Sequence, residues 1–468
     1  MLVSPSTTLE AALALIAEQA KTIERLTKRL EALEAENTRL RAENTRLRAL
    51  LSPDPSTPSG MTPTYQKANL SRGRHKKPGR PRGHQGCRRP PPEQIDNHQE
   101  HTLTHCPDCG TKLGESQAQR QRYTEEIPPT RPTVTAHTIH RYWCPHCRKS
   151  VERKVAEALP GCTLGLNLLL TTAWLHYRLG VSTGHVVRWL ATICRLKVSK
   201  GGLTQAWAKL AELLQPLYQE IGQAARASAV LHADETGWRL SGCTWWLWCF
   251  CNKELAYYVI ERCRGSPVVQ AVLGEIFHGV LVTDFLGSYN RICAWAKQRC
   301  VVHLLRELKK VAERNHGAEW QTFHKLLKRL LRDGLRLRAQ REQLGEAEYA
   351  RRCGRLVRRM LALAAREYAD ADCRRLAARL RRHRAEIFTF LVVDGVTADN
   401  NLVERELRFA VQARKNYFGN RSTRGAETQA ILMTVFRTLE LRGHEPVSYL
   451  RDALQTAILQ PQVLPLAA

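Results

Sequence analysis

The stretch that decides the fold is an apolar run that ends in acids, with the sequence AVLHADET at residues 229–236. Its length and its Val and Leu content predict a buried β-strand. Two further runs, Thr244–Phe250 and Ala256–Glu261, predict two more strands. Gly237 is predicted to end the first strand, and the pair Ser241-Gly242 is predicted to lie in the turn of the first hairpin.

After these strands the pattern becomes helical and then returns to strand. Pro267–Ile276 predicts a helix, and Val280–Thr283 predicts a buried strand that leads into Asp284. Arg299–Val302 is a candidate for one more short strand. Strands with acids at their ends and a helix between them predict an α/β sheet.

The acids at the strand ends are candidate ligands for two Mg²⁺ ions, with Mn²⁺ as a possible substitute. Neighbouring residues of a strand face opposite ways, so Asp234 and Glu235 do not easily reach one ion. Asp234 is preferred because its shorter side chain holds a cation more rigidly, and Glu235 is the alternative. A pair of divalent ions needs a further acid beside Asp234 and Asp284, and Glu404 is the candidate.

Glu404 lies in the sequence DNNLVER at residues 399–405, which predicts the start of a helix. Asp399 or Asn400 is a suitable N-cap, and Glu404 falls in the first turns. Arg408 follows four residues after Glu404 and therefore shares its helical face. It is a candidate for orienting the carboxylate or holding a phosphate, and an ordinary ion pair is equally compatible.

The charge of the chain favours a polyanionic partner, of which nucleic acid is the commonest. There are 72 Lys and Arg against 44 Asp and Glu, for a net charge of +28 and a pI near 9.9. We find no secretory signal and no apolar run of membrane-spanning length, so no membrane partner is expected. A cytoplasmic location is predicted, in which paired cysteines among the 15 would bind metal.

Residues 9–51 carry a heptad pattern that predicts a parallel coiled coil, and hence a homodimer or a higher oligomer. A single amphipathic helix on a globular body is the alternative, but a seam this narrow is unusual for one. The d positions are Leu26, Leu33, Leu40 and Leu47, and two of the a positions are Asn37 and Asn44.

Residues 52–95 are rich in Pro, Gly, Ser and basic residues, which predicts a linker. Within it the sequence KKPGRPRGH at residues 76–84 holds Arg80 and Arg82 on either side of a proline. An extended Arg-Pro-Arg can lie in a narrow minor groove. A merely flexible basic linker fits equally well, and either would add affinity for phosphates.

Two C-x-x-C pairs predict a structural zinc site with four thiolate ligands. They are Cys106 with Cys109 and Cys144 with Cys147. An alternating stretch, Thr133–Trp143, predicts a strand between them, so the region is predicted to be a zinc ribbon.

Three helical patterns follow, over Leu164–Tyr177, Ser182–Leu196 and Thr204–Ile221. The short turns between them contain Gly and Ser, which is compatible with a helix-turn-helix. A plain helical connector is at least as compatible.

Several motifs together resemble one family of proteins. They are HADETGW at residues 232–238, VTDFLGSYN at 282–290, DNNLVER at 399–405, RKN at 414–416 and Phe418-Gly419. In this order they resemble the DDE transposases of the insertion-sequence family typified by insertion sequence 66. The heptad, the sequence GHQG at residues 83–86 and the C-x-x-C pairs resemble the N-terminal parts of that family.

The resemblance implies a bacterial, nucleoid-associated enzyme whose partner is double-stranded DNA, both the ends of its own element and the target. It implies that the enzyme catalyses metal-dependent DNA cleavage and strand transfer. It implies an RNase H-like core with Asp234, Asp284 and Glu404 as the metal triad, and a helical insertion before the third acid. By charge and by the family match, Arg414, Lys415 and Asn416 are expected to contact phosphates. A zipper-dimerised zinc-ribbon regulator, or an inactive transposase relative, is the alternative.

The predicted fold class is therefore a multidomain α/β protein. The Arg-rich insertion is expected to present a phosphate-contacting surface. The predicted parts are a coiled coil at 1–51, a linker at 52–95, a zinc ribbon at 96–160, a helical DNA-binding region at 161–227, a catalytic core at 228–303 and 391–442, the insertion at 304–390, and a C-terminal helix and tail at 443–468.

Overall fold

The computed structural model describes residues 5–50, 90, 92–127 and 130–459. It forms two units, Met1–Thr124 and Glu125–Ala468. Among the described residues, no helix is both long and apolar enough to cross a membrane.

The first unit begins with α1 (Pro5–Leu50), a single helix of 46 residues. The predicted helix is confirmed, and its many Ala, Leu, Glu and Arg residues are strong helix formers. The apolar positions of the heptad that are described point to solvent, each more than half exposed. They are Ile23, Leu26, Leu30, Leu33 and Leu40.

Some sequence predictions fall outside the described residues. These predictions concern the side chains of Asn44 and Leu47, most of the 52–95 linker with Arg80 and Arg82, and the tail after residue 459.

The cysteine pairs lie in two separate turns. In the first unit, an isolated bridge between His105 and Lys112 frames the first pair. In the second unit, β1 (Arg141–Cys144) pairs with β2 (Lys149–Glu152) in an antiparallel hairpin around the second pair. The predicted strand Thr133–Trp143 was too long, because residues 141 onward alone find a partner strand.

Three helices follow close to their predicted positions. They are α2 (Leu166–Tyr177), α3 (Thr183–Thr192) and α4 (Lys200–Arg226). Ser182 and Ser199 cap α3 and α4 by accepting hydrogen bonds from the backbone N–H groups of His185 and Gly202.

The mixed sheet at the centre of the second unit confirms the predicted α/β class. Its strand order is β5-β4-β3-β6-β7, with β3, β4 and β5 antiparallel and β3, β6 and β7 parallel. The elements are β3 (Val230–Leu240), β4 (Cys243–Cys251), β5 (Ala256–Glu261), α5 (Ser266–Leu273), β6 (Ile276–Thr283) and β7 (Cys293–Arg299).

The structure corrects three boundaries in this region. Gly237 does not end β3, since the ladder with β4 continues to the pair Leu240 and Cys243. Asp234 therefore lies inside β3 and not at its end. Ile276 belongs to β6, and the short strand predicted at Arg299–Val302 is the end of β7 followed by a helix.

The segment after β7 is helical, as predicted. Its helices share a core of their own that includes Trp320, Phe323 and Leu327 and reaches Val280 and Val282 of β6. Many of its arginines are engaged in ion pairs, for example with Glu307, Asp333 and Asp372. The helices are α6 (Val301–Ala312), α7 (Ala318–Ala339), α8 (Glu346–Ala365), α9 (Ala371–Arg382) and α10 (Thr389–Val392).

The last three helices are α11 (Asn401–Tyr417), α12 (Thr423–Leu441) and α13 (Pro446–Leu459). Helix α11 packs on β3, and α12 packs on α4 and β5. Buried Glu406 of α11 receives two hydrogen bonds, of 2.6 and 2.8 Å, from Arg437 of α12. This pair fixes α11 beside the sheet, with its N-terminus toward the acids.

Candidate active site

The strand register places two of the candidate acids side by side. Parallel pairing of β3 and β6 ends at His232 opposite Val282. Asp234 and Asp284 each follow two residues later, so alternation along the strands puts both on the face that carries His232 and Val282. The sequence predicted both residues as candidate acids. Their position at the same height along adjacent strands follows from the register between β3 and β6.

The electrostatics of Asp234 show that the candidate acids are neighbours. Burial raises the pKa of Asp234 well above its usual range, and the charges of Glu235, Asp284 and Glu404 raise it further. A hydrogen bond from the backbone N–H of Glu235 opposes the shift only in part. Asp284 and Glu404 thus both lie close enough to Asp234 for their charges to act on its carboxyl group.

Glu235 makes different contacts, as the alternation of strand residues predicts. Its carboxylate accepts hydrogen bonds of 2.9 Å from the Arg264 guanidinium and of 2.9 Å from the Tyr289 hydroxyl. Ser288, next to Tyr289, donates to the backbone carbonyl of Arg264. Glu235 therefore ties β3 to the loop that follows Asp284.

Arg299 holds the same loop from the other side. Its fully buried guanidinium donates to the backbone carbonyl of Asp284 at 2.8 Å and to Asn290 Oδ1 at 2.8 Å. It also donates to Thr283 and to Glu386. The Asp284 carboxylate itself accepts from the backbone N–H of Leu286 at 2.8 Å, which fixes its direction.

Asn400 joins the N-terminus of α11 to β3. Its side chain is completely buried, donates to the carbonyl of Ala233 at 3.0 Å and accepts from Nδ1 of His232 at 3.0 Å. The side chain is therefore not available as a helix cap, and Asp399 accepts from the backbone N–H of Asn401 instead. The contact sets the distance between Glu404 and Asp234.

Glu404 lies in the first turn of α11 and has two neighbours on α6, Arg306 and His303. Arg306 donates to its carboxylate at 3.2 Å, and Nε2 of His303 lies 3.7 Å away. Arg408 is exposed on the surface of α11, and the ion pair that the structure gives Glu404 is with Arg306.

The residues predicted to contact phosphates at the end of α11 differ in how accessible their side chains are to solvent. Arg414 is half-buried and donates to the carbonyl of Gly237, and burial lowers its pKa. Asn416 is exposed but donates to the carbonyl of Gly180 at 3.0 Å, and Lys415 is exposed as well. Lys415 and Asn416 are therefore more accessible than Arg414.

Within the part of the chain that is described, no three His, Cys, Asp or Glu side chains converge closely enough to hold a metal ion as they stand. The chemistry of the candidate acids nevertheless fits Mg²⁺, which prefers carboxylate oxygens. Burial and, next to it, the charges of the neighbouring acids raise the pKa of Asp234, and a divalent cation would relieve the repulsion among these acids.

The cysteine turns have the chemistry of zinc ligands. In the first turn, the hydroxyl and the backbone N–H of Thr111 lower the pKa of Cys109 to about 7. In the second, the backbone N–H of Cys147 donates to Sγ of Cys144 at 3.4 Å and lowers the pKa of Cys144. Each turn thus favours the thiolate form that binds zinc.

Sequence reasoning missed several residues of the site. Arg299, Arg306 and Tyr289 look like ordinary residues of a strand, a helix and a loop, and their partners are distant in sequence. One signal was available: His232 precedes Asp234 by two residues, and alternation predicts that they share a face.

Two family models match the chain. One, described as the transposase IS66 family, matches residues 161–428, more than half of the chain and a range that includes the three acids. The other, described as the zinc-finger binding domain of transposase IS66, matches residues 104–148, which include the four cysteines. No curated protein matches the chain.

Proposed function

Because the chain belongs to the IS66 family of transposases, we propose that it binds the ends of its own insertion element and catalyses metal-dependent cleavage and transfer of DNA strands. The observation that carries this proposal is the placement of Asp234 and Asp284 two residues beyond the same pair on adjacent parallel strands, within electrostatic reach of Glu404. A protein that only binds DNA has no need of such a group of acids.

In the proposed site, Asp234, Asp284 and Glu404 hold two Mg²⁺ ions. When bound, the ions would activate the attacking water or hydroxyl and stabilise the leaving oxygen. Asn400 and Glu235 position the acids through the contacts to β3 and to the Asp284 loop. Arg306, about half exposed beside Glu404, is available to contact a phosphate near the acids.

The RNase H-like core is the fold that we propose for the sheet. Three antiparallel strands followed by two parallel ones support it, with Asp234 on the central strand β3 and Asp284 directly after the neighbouring strand β6. We retain the predicted domain limits, with the acids at 228–303 and 391–442 and the helical insertion at 304–390. Arg80, Arg82, Arg408, Arg414 and Lys415 remain proposed DNA contacts; Asn416 is a weaker candidate because its amide is engaged.

The decisive experiment is to incubate the purified protein with Mg²⁺ or Mn²⁺ and DNA that carries the element's own ends, and to map the nicks. Metal-dependent cleavage at the element boundary is the expected result. Specific binding without cleavage under all metal conditions would instead support a regulator or an inactive relative.

We expect the zipper leucines to mediate self-association. Replacing both Leu26 and Leu33 with Glu should weaken the dimer by at least about 100-fold, because each buried leucine contributes about 1.5–3 kcal/mol. Light scattering across a concentration series measures the change.

The matched control for this double variant replaces both Ala32 and Ala35 with Glu, which adds the same two charges outside the a and d positions. It should associate like the unmodified protein. An unchanged mass for the double-leucine variant would contradict the coiled coil.

The four cysteines are proposed to bind one zinc ion, with Cys106, Cys109, Cys144 and Cys147 as ligands. Cys106→Ser should reduce bound zinc from one ion per chain to near zero and weaken recognition of the element ends, because three thiolates hold zinc less well than four. Elemental analysis and a DNA-binding titration measure the two effects.

Cys293→Ser is the control, since Cys293 is an exposed cysteine on β7 outside both pairs. It should retain both zinc and binding. Full zinc content in the Cys106 variant would remove that residue from the ligand set.

A further inference from the structure

An exposed aromatic side chain stands at the C-terminal end of α11. Phe418 is 74% exposed, although the preceding Tyr417 packs against His176 in the core. Single exposed apolar residues are common on protein surfaces, so exposure alone carries no functional meaning. The backbone and the surroundings of Phe418 distinguish it.

Phe418 adopts a left-handed backbone conformation, with φ of 65°. Glycine or asparagine is the usual residue at such a helix end, because a bulky side chain is strained there. The strain is not relieved by burial of the ring. A residue that retains an unfavourable conformation without a packing benefit is a candidate for a functional role.

The segment after Phe418 is fixed firmly to the end of β3. A Cβ atom on Gly419 would lie 2.2 Å from the carbonyl oxygen of Arg239, so only glycine fits. Asn420 exchanges backbone hydrogen bonds with Arg239 and Ser241, and its side chain accepts from Trp238 Nε1 at 2.7 Å. The backbone that carries the phenyl ring is therefore held in place at the end of β3, and the ring itself lies outside the core.

The surroundings of the ring are strongly basic. Residues 414–426 contain Arg414, Lys415, Arg421 and Arg424 and no acid, and Arg239 lies against Gly419. Of the four cations in this range, Lys415 and Arg421 are exposed, while Arg424 pairs with Glu212. An exposed aromatic ring on a fixed backbone, with cations within a few residues of it, is an arrangement that can bind nucleic acid, by stacking on a base while the cations contact the backbone.

We propose that Phe418 stacks on an unpaired or unstacked base of the DNA near the cleaved strand end, with Lys415 and Arg421 on the adjoining phosphates. This inference rests on the proposed function, since it requires DNA at the acids. Glu404 and Phe418 are 14 residues apart along α11, which is about 20 Å at a rise of about 1.5 Å per residue. That length corresponds to about six base pairs, so the base lies within about six positions of the cleavage point.

The test uses the full-length protein and duplexes of the element's terminal sequence, without added Mg²⁺. Each duplex carries one unpaired 2-aminopurine at one of the first positions from the cleavage point, and a fully paired duplex serves as reference. The unmodified protein should quench the fluorophore at one or two neighbouring positions. It should bind that duplex about 5- to 100-fold more tightly than the paired one.

Phe418→Asn should remove both the quenching and the preference, and its melting temperature should stay level or rise because asparagine tolerates the left-handed conformation. Phe418→Tyr should retain both effects. Trp295→Ala, which removes another exposed aromatic residue, should behave like the unmodified protein.

The inference is overturned if the unmodified protein shows no such preference, or if Phe418→Asn keeps the quenching and the preference. Both results leave the proposed function standing, provided that the unmodified protein binds and cleaves the element ends. Failure of the unmodified protein to bind or cleave those ends contradicts the proposed function itself.

Discussion

Asp234→Asn is expected to slow Mg²⁺-dependent strand cleavage by about 10³-fold or more, because one carboxylate of a two-ion site supplies several kcal/mol of transition-state stabilisation. Asp284→Asn and Glu404→Gln should have comparable effects. DNA binding should change little, since these side chains are proposed to contact ions and not phosphates. Cleavage assays on end-labelled DNA and a parallel binding titration separate the two.

A stability measurement accompanies the cleavage assay. Burial and the charges of the neighbouring acids raise the pKa of Asp234, and a neutral amide avoids both costs, so the melting temperature of Asp234→Asn should stay level or rise. Asp452→Asn, on the exposed face of α13, is the control and should cleave normally. Normal cleavage by Asp234→Asn together with inactivity of Glu235→Gln would show that Glu235 is the ligand.

Arg299→Met is expected to lower the free energy of unfolding by about 3–5 kcal/mol, because it removes one partner from a buried ion pair. Methionine fills much of the same space but leaves Glu386, Asn290 and the Asp284 carbonyl without their guanidinium partner. Cleavage should also fall, since the loop that directs Asp284 loses its support. Urea unfolding followed by tryptophan fluorescence measures the stability change.

Acid unfolding provides a second test of the Arg299 pair. Burial raises the pKa of Glu386, but His383 and Arg299 lower it more, to about 2. A depressed carboxyl pKa stabilises the fold above the ordinary value of 4.5, and this stabilisation is lost as the pH falls toward 2. In Arg299→Met that loss should begin at higher pH.

Arg384→Met is the control for this substitution, because Arg384 is exposed and donates only a long hydrogen bond to Arg381. Its effect on stability should lie within about 0.5 kcal/mol. An Arg299→Met protein that unfolds at the same urea concentration as the unmodified protein would show that the guanidinium does not support the loop.

Local sequence patterns determined much of this protein. The heptad predicted α1, apolar periodicity between Gly- and Ser-containing turns predicted α2 to α4, and the apolar runs between residues 229 and 261 predicted β3, β4 and β5. The different contacts of Asp234 and Glu235 were also predictable, because neighbouring side chains of a strand point to opposite faces of the sheet. In each case the signal depends on residues within a few positions of one another.

Other features were decided by the tertiary structure. Gly237 suggested a break in β3, but pairing with β4 carries the strand on to Leu240. Asn400 suggested a helix cap, but its buried amide is used by His232 and Ala233, more than 160 residues earlier. The side-by-side position of Asp234 and Asp284 likewise depends on the register between β3 and β6.

The physical reason is the range of the interactions. Helix and strand periodicity reports which residues will be buried, and it is set by the local backbone. It does not report which distant group will satisfy a buried guanidinium such as Arg299, or a buried amide such as Asn400, because packing selects that partner. The sequence therefore determined the elements and the candidate acids, and the packing of the sheet with α6 and α11 decided which residues position those acids.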